Sequence, residues 1–250
     1  MPSGMIIVTG GSRGIGAAIC RRLAADGYAI AVNYAADAEA AKATVSSIKK
    51  TGGRVGAFQA DVGDPAAVAR LFKEATDALG PLVGLVNNAG ETGRLGRVDE
   101  QQAADLTRHF AVNVIGTILA CKEATLRLST RHAGKGGVIV NLSSIAARLG
   151  GLPGLAHYAA SKGAIESFTR GLANEVGLEG IRVNAIAPGM IATDMTQPLL
   201  ANPATQQRIA AITPLRRVGA PEEIAETAAW LMSPAASFVT GSIVTVSGGR

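Results

Sequence analysis

The stretch HYAASKGA, residues 157–164, sets Tyr158 and Lys162 four positions apart with only small residues between them. On a helix that spacing stacks the two side chains on one face, a turn apart. A free phenol has a pKa near ~10 and is a poor base at neutral pH, whereas a neighbouring ammonium stabilises the phenolate and lowers that value. The pair therefore suits a group that gives and takes a proton. Upstream, NLSS ends an apolar run with Ser144, whose hydroxyl can hydrogen-bond a substrate oxygen; Ser143 is its rival.

A second constellation lies near the start. TGGSRGIG, Thr9 to Gly16, follows the apolar run MIIV and leads into a segment of helical period. Glycines there permit a tight turn and close backbone approach to a pyrophosphate, which a helix N-terminus attracts.

Both constellations need elements to position them. The strand candidates are residues 5–8, 29–33, 55–59, 82–87, 138–142, 181–187 and 242–246, separated by alanine-rich helical segments such as Ala17 to Ala25 and Pro65 to Leu79. This alternation predicts an α/β fold, a Rossmann-like doubly wound parallel sheet of about seven strands with helices on both faces. With no linker, repeat or low-complexity tract, residues 1–250 read as a single domain. In such sheets ligands bind beyond the carboxyl ends of the strands, where both constellations fall.

Composition narrows the function classes. Apolar residues make up 48% and mean hydropathy is +0.25, as a sheet buried on both faces would give. No apolar run reaches the ~18 residues of a membrane span, and the opening MPSGMIIVTGG reads as a strand rather than a secretory signal. The net charge of +5 is spread over pairs such as Arg21-Arg22 and Lys49-Lys50 among nearly as many acids, which argues against a nucleic-acid surface. Cys20 and Cys121 have neither CxxC nor metal-ligand spacing. They predict free buried thiols, a cytoplasmic protein and no metal site.

The motifs recur in a known order: TGxxxGIG at residues 9–16, NNAG at 87–90, Val112-Asn113, NLSS at 141–144, YAASK at 158–162 and APG at 187–189. Together they resemble the short-chain dehydrogenase/reductase family over Thr9 to Gly249. The resemblance implies a catalytic set of Asn113, Ser144, Tyr158 and Lys162. In it Ser144 and Tyr158 hold a carbonyl, Tyr158 passes the proton, Lys162 also binds the nicotinamide ribose, and Asn113 holds a relay water. It implies cofactor contacts from Gly10, Ser12, Arg13, Gly14, Ile15, Gly16, Asn33, Tyr34, Asp61, Val62, Asn88, Ala89, Gly90, Tyr158, Lys162, Pro188, Gly189, Ile191 and Thr193, with Asp61-Val62 against adenine. Asn88 is expected to stabilise the sheet as well.

An acid ending the second strand would bind ribose hydroxyls and repel a 2′-phosphate. That strand ends in neutral Asn33-Tyr34, and Asp37, further on, is better placed to cap a helix. Arg13 resembles the NADP-preferring pattern, so NADP(H) is expected in preference to NAD(H).

The substrate pocket is expected between residues 91–97, 145–155 and the stretch from Met190, a predicted mobile lid. A small carbonyl or alcohol fits this reading, with Arg94 and Arg148 available to a charged one. His157 is expected at a pocket rim or interface, and Trp230 in the core or an interface. The resemblance also raises 3-oxoacyl-carrier-protein reductase as an alternative. Arg131 would suit an acidic carrier, whereas Glu179 stands where those enzymes typically carry a basic residue. A non-catalytic NADP(H)-binding sensor is the alternative of another class; such proteins typically lose the tyrosine or lysine, and here both are present. By resemblance the chain forms a homotetramer.

Overall fold

Alternating apolar residues build the first strand so that its side chains feed two cores, and the rest of the fold follows that division. The computed structural model describes residues 4–250. Its first half runs β1 (Met5–Thr9), α1 (Gly14–Ala25), β2 (Ala29–Tyr34), α2 (Ala38–Lys50), β3 (Val55–Gln59), α3 (Pro65–Leu79), β4 (Leu82–Asn87), α4 (Ala103–Phe110) and α5 (Gly116–Leu128). The second half runs β5 (Gly137–Leu142), α6 (Ala146–Leu149), α7 (Ala156–Val176), β6 (Ile181–Pro188), α8 (Gln197–Leu200), α9 (Pro203–Ile212), α10 (Pro221–Met232) and β7 (Ile243–Val246).

The strands form one sheet in the order β3-β2-β1-β4-β5-β6-β7, every pairing parallel. All seven predicted strands are present, with ends shifted by a residue at most. Met5 and Ile7 pack with Leu71, Phe72, Leu85 and Leu128 on one face. Ile6 and Val8 pack with Ile19, Leu23, Ile30 and Ile224 on the other. Chain order reverses between β1 and β4, which opens a crevice at their carboxyl ends.

Helix starts are capped where the sequence offers a cap. Asp37 accepts from the Ala40 N–H, as expected, and Asp64 from the Ala66 N–H ahead of Pro65. Arg13 precedes α1 and makes no side-chain cap, which leaves the first N–H groups of that helix without a side-chain partner. The stretch after Met190 is more ordered than a loop. Asn202 caps α9 through the Ala204 and Thr205 N–H groups, with Pro203 at the first helical position. Asn113 lies not in a regular helix but in a π-turn, residues 111–115, joining α4 to α5. Among the described residues no helix is long and apolar enough to cross a membrane, and Cys20 and Cys121 are free and buried.

Candidate active site

The glycine loop folds as it does because side chains are excluded from it. Gly10 has φ +60°, and a Cβ there would lie 2.9 Å from the Ala89 Cα. A Cβ on Gly16 would lie 2.2 Å from the Gly10 carbonyl oxygen. Asn88 locks this contact by donating to the carbonyls of Thr9 (3.1 Å) and Gly10 (2.9 Å), so it does serve the sheet. Thr9 Oγ1 in turn accepts from the N–H groups of Asn88 and Ala89.

The crevice is a cavity of about 520 Å³. Gly10, Ser12, Arg13, Gly14, Ile15, Asn33, Tyr34, Asp61, Val62, Asn88, Ala89, Gly90 and Thr193 line it. Gly16, Tyr158, Lys162, Pro188, Gly189 and Ile191 do not: Gly16 sits behind the loop, Lys162 behind Gly90, and Ile191 is buried in the core. Glycines against backbone, an uncapped helix start and a cleft of this volume at the carboxyl ends of the strands fit a dinucleotide. Asn33 lines the cleft, but its amide is engaged: Oδ1 accepts from the Gly10 N–H, and Nδ2 donates to the Ala60 (2.9 Å) and Phe58 (3.3 Å) carbonyls. It holds the glycine loop to β2 and β3.

Asp61 carries a partner the sequence did not reveal. Its carboxylate meets Arg108 at 2.8 Å and accepts from the Gly63 N–H. Burial raises its pKa, but the Arg108 and Gly63 hydrogen bonds outweigh that and hold it below the ordinary carboxylate value.

At the inner end, β5 and α7 bring Ser144, Tyr158 and Lys162 together. Ser143 is turned inward and bonds Glu166 (3.1 Å) and the Lys162 carbonyl (3.3 Å), which leaves Ser144 as the serine beside Tyr158. Lys162 Nζ donates to the Leu142 carbonyl at 2.9 Å and lies 5.7 Å from the centre of the Tyr158 ring. A Cβ on Gly90 would lie 3.5 Å from that Nζ, so the lysine stands directly behind the cleft wall. Burial pushes the Lys162 amine down to about 8. Burial also raises the Tyr158 phenol, partly offset by the Ser144 hydroxyl. The expected lowering by Lys162 is not what dominates here: both groups lose water, and loss of water favours the neutral form of each.

Asn113 is clamped to the loop after β4. Its Oδ1 accepts from the Glu91 N–H at 2.9 Å, and its Nδ2 donates to the Glu91 carbonyl at 2.8 Å. A family model described as Enoyl-(Acyl carrier protein) reductase matches residues 10–250. The uncharacterized oxidoreductase YgfF of Escherichia coli K12 is 42% identical over 244 residues, covering 98% of each chain. A 3-oxoacyl-[acyl-carrier-protein] reductase of Synechocystis is 41% identical over 97% of this chain and 95% of that one. A short chain dehydrogenase from Burkholderia cenocepacia, solved in complex with NADP, superposes with a TM-score of 0.87 at 39% identity, covering 98% of this chain and 96% of that one. This chain belongs to the short-chain dehydrogenase/reductase family.

It is an oxidoreductase of that family, and two residues around its site, His109 and Ser161, were not singled out in the sequence. His109 lies one turn before Asn113, with Nε2 3.3 Å from Asn113 Nδ2 and 3.1 Å from Ser161 Oγ. His157 meets the Thr92 carbonyl at 3.1 Å and stacks edge-on against His109. The i, i+4 spacing of His109 and Asn113 was the signal available; the turn that joins them to Glu91 was not. Arg148, considered for a charged substrate, bonds Thr245 instead, and Arg94 lies 3.9 Å from Asp105. Trp230, on α10, is half-exposed rather than core.

Proposed function

We propose that this oxidoreductase reduces a carbonyl to an alcohol with NADPH, and runs the reverse with NADP+. The observation that carries the reading is the convergence of Ser144, Tyr158 and Lys162 next to a glycine-lined cleft, with Lys162 Nζ behind the lining residue Gly90. When bound, the reduced nicotinamide supplies the hydride that adds to the carbonyl carbon. Ser144 and Tyr158 hold the carbonyl oxygen, and Tyr158 gives it the proton, so a C=O becomes CH–OH. A raised phenol pKa suits this, because the donor is protonated at neutral pH. Lys162, backed by the Leu142 carbonyl, is placed to restore the proton and to bind ribose hydroxyls.

Arg13, on the cleft wall and free of any capping duty, supports NADP(H) over NAD(H). The NADP complex of the Burkholderia relative supports the same choice. In this reading the chain acts as one catalytic domain. It assembles as a homotetramer, with the exposed Ile115, Ile118 and Leu126 on the α5 side available for burial, and works in the cytoplasm, where its free thiols stay reduced.

The test is NADPH oxidation against small diketones, aldoses and an acetoacetyl thioester, with NADH in parallel. Turnover of at least one carbonyl supports the reading, and none sinks it. Turnover confined to the thioester selects the carrier-protein reaction, which the Synechocystis relative favours. Glu179, hydrogen-bonded by Ser129 next to Arg131, opposes that reaction through its charge. Tyr158→Phe is expected to lower kcat by ~10²–10⁴-fold and leave NADPH affinity unchanged; an active variant would refute the proton-transfer role.

A further inference from the structure

His109 is buried to 1% exposure beside the site, and the proposed chemistry gives it no task. Its Nδ1 is buried with no hydrogen-bond partner and lies 4.0 Å from Glu91 Oε1. The loop bearing Glu91 passes directly over it. A Cβ on Gly93 would lie 3.0 Å from His109 Nδ1 and 2.8 Å from His157 Nε2, so the loop backbone rests on two imidazoles.

Two partners meet Nε2. Asn113 Nδ2 lies 3.3 Å away and is fixed as a donor, because it gives to a backbone carbonyl while Oδ1 receives a backbone N–H. Ser161 Oγ lies 3.1 Å away; it accepts from Asn113 Nδ2 at 3.2 Å and donates to the Tyr158 carbonyl at 2.8 Å. A bare Nε2 accepts from Asn113 and a protonated Nε2 donates to Ser161, so neutral His109 ties to this group in either tautomer.

We infer that neutral His109 is a positioning residue that fixes Asn113 and Ser161 through Nε2 and so sets the Tyr158 turn of α7 against the Glu91–Gly93 loop. It acts through its neighbours and touches no reacting atom. The charges around it agree. Burial, with His157 and Lys162 adding, pushes its pKa down to about 4, so it stays neutral at working pH. Glu91 faces it from the loop, His157 and Lys162 from α7, and the Tyr158 ring is 6.3 Å away. The inference rests on the carbonyl-reductase reading and names a further residue of that same site.

The experiment compares wild type with His109→Leu and His109→Gln. Loss of one buried hydrogen bond predicts a ~10-fold fall in kcat for His109→Leu with little change in the NADPH KM. His109→Gln, whose amide can accept from Asn113 or donate to Ser161 Oγ, should recover most of that rate. Wild-type kcat in His109→Leu, or His109→Gln as slow as His109→Leu, overturns the assignment. A readout independent of turnover is the imidazole ¹⁵N spectrum of the wild-type protein, with the His109 signals identified by their loss in His109→Gln. One neutral tautomer persisting down to ~pH 5 supports the assignment, and titration near the ordinary ~6.5 or a rapidly averaged mixture of the two tautomers overturns it. A wild type inactive on every carbonyl sinks the reductase reading, while the spectrum still decides the role of His109.

Discussion

Lys162→Met should stabilise this protein at neutral pH while destroying its activity. Lys162 is 6% exposed, and burial takes its pKa from 10.5 to about 8. At ~1.4 kcal/mol for each pH unit, that difference opposes folding by about 3 kcal/mol whenever the amine must enter the fold charged. Methionine fills similar space without the charge, but the Leu142 carbonyl loses its 2.9 Å donor, at a cost of about 1 kcal/mol. The net gain at pH 7 is about 2 kcal/mol, or ~4–8 °C in Tm for a chain of this size.

The pH dependence makes the prediction sharp. Between pH 8 and 10.5 the unfolded chain still binds the lysine proton and the folded protein does not, so wild-type stability rises with pH across that window relative to the variant. The advantage of Lys162→Met is therefore full below pH 8, shrinks above it, and ends near pH 10.5 as a deficit of about 1 kcal/mol from the lost hydrogen bond. Thermal unfolding of both proteins by circular dichroism from pH 6.5 to 10.5, at one protein concentration, measures this. A variant less stable at pH 7, or a difference that stays flat across the window, would refute the reasoning.

Two further changes test the cofactor cleft. Arg13→Ala removes one charge-assisted contact and should weaken NADPH binding ~10–100-fold by fluorescence titration, with NADH changed little; equal weakening of both would remove Arg13 as the selector. Gly16→Ala drives a Cβ to 2.2 Å from the Gly10 carbonyl and 2.5 Å from Asn88 Nδ2, which is itself held by two carbonyls. It should raise the NADPH Kd more than ~10-fold, as a shifted loop loses its phosphate contacts, and wild-type affinity would show that the loop can give.

The sheet was legible because parallel strands buried on both faces read as short apolar runs, and every run expected became a strand. The cap at Asp37 was legible because its signal is local. Residues that act across the fold were not. Asn33 looked like a neutral stand-in for a ribose-binding acid, yet its partners at Gly10, Phe58 and Ala60 lie on three different segments. The π-turn at Asn113 has no periodic signature, since it adds one residue to an otherwise helical run. The stretch after Met190 was expected as a mobile lid, whereas Pro198 and Pro203 each sit in the first turn of a short helix, where a missing N–H costs nothing.

The opposed behaviour of Tyr158 and Lys162 connects the resting site to a direction of reaction. Desolvation keeps the phenol protonated and brings the amine's pKa down to about 8, so at pH 7 the pair stands as a proton donor backed by a still-charged group that exchanges protons readily. Reduction needs a protonated tyrosine and oxidation needs a phenolate, so the first is matched to neutral pH and the second demands a deprotonation that burial resists. The positive charge of Lys162 is the counterweight within reach, at 5.7 Å from the ring, but Nζ is turned to the Leu142 carbonyl rather than to the phenol oxygen. Under the proposed mechanism the resting site is suited to giving the proton in reduction, and the balance between the two directions is left to the ratio of reduced to oxidised cofactor.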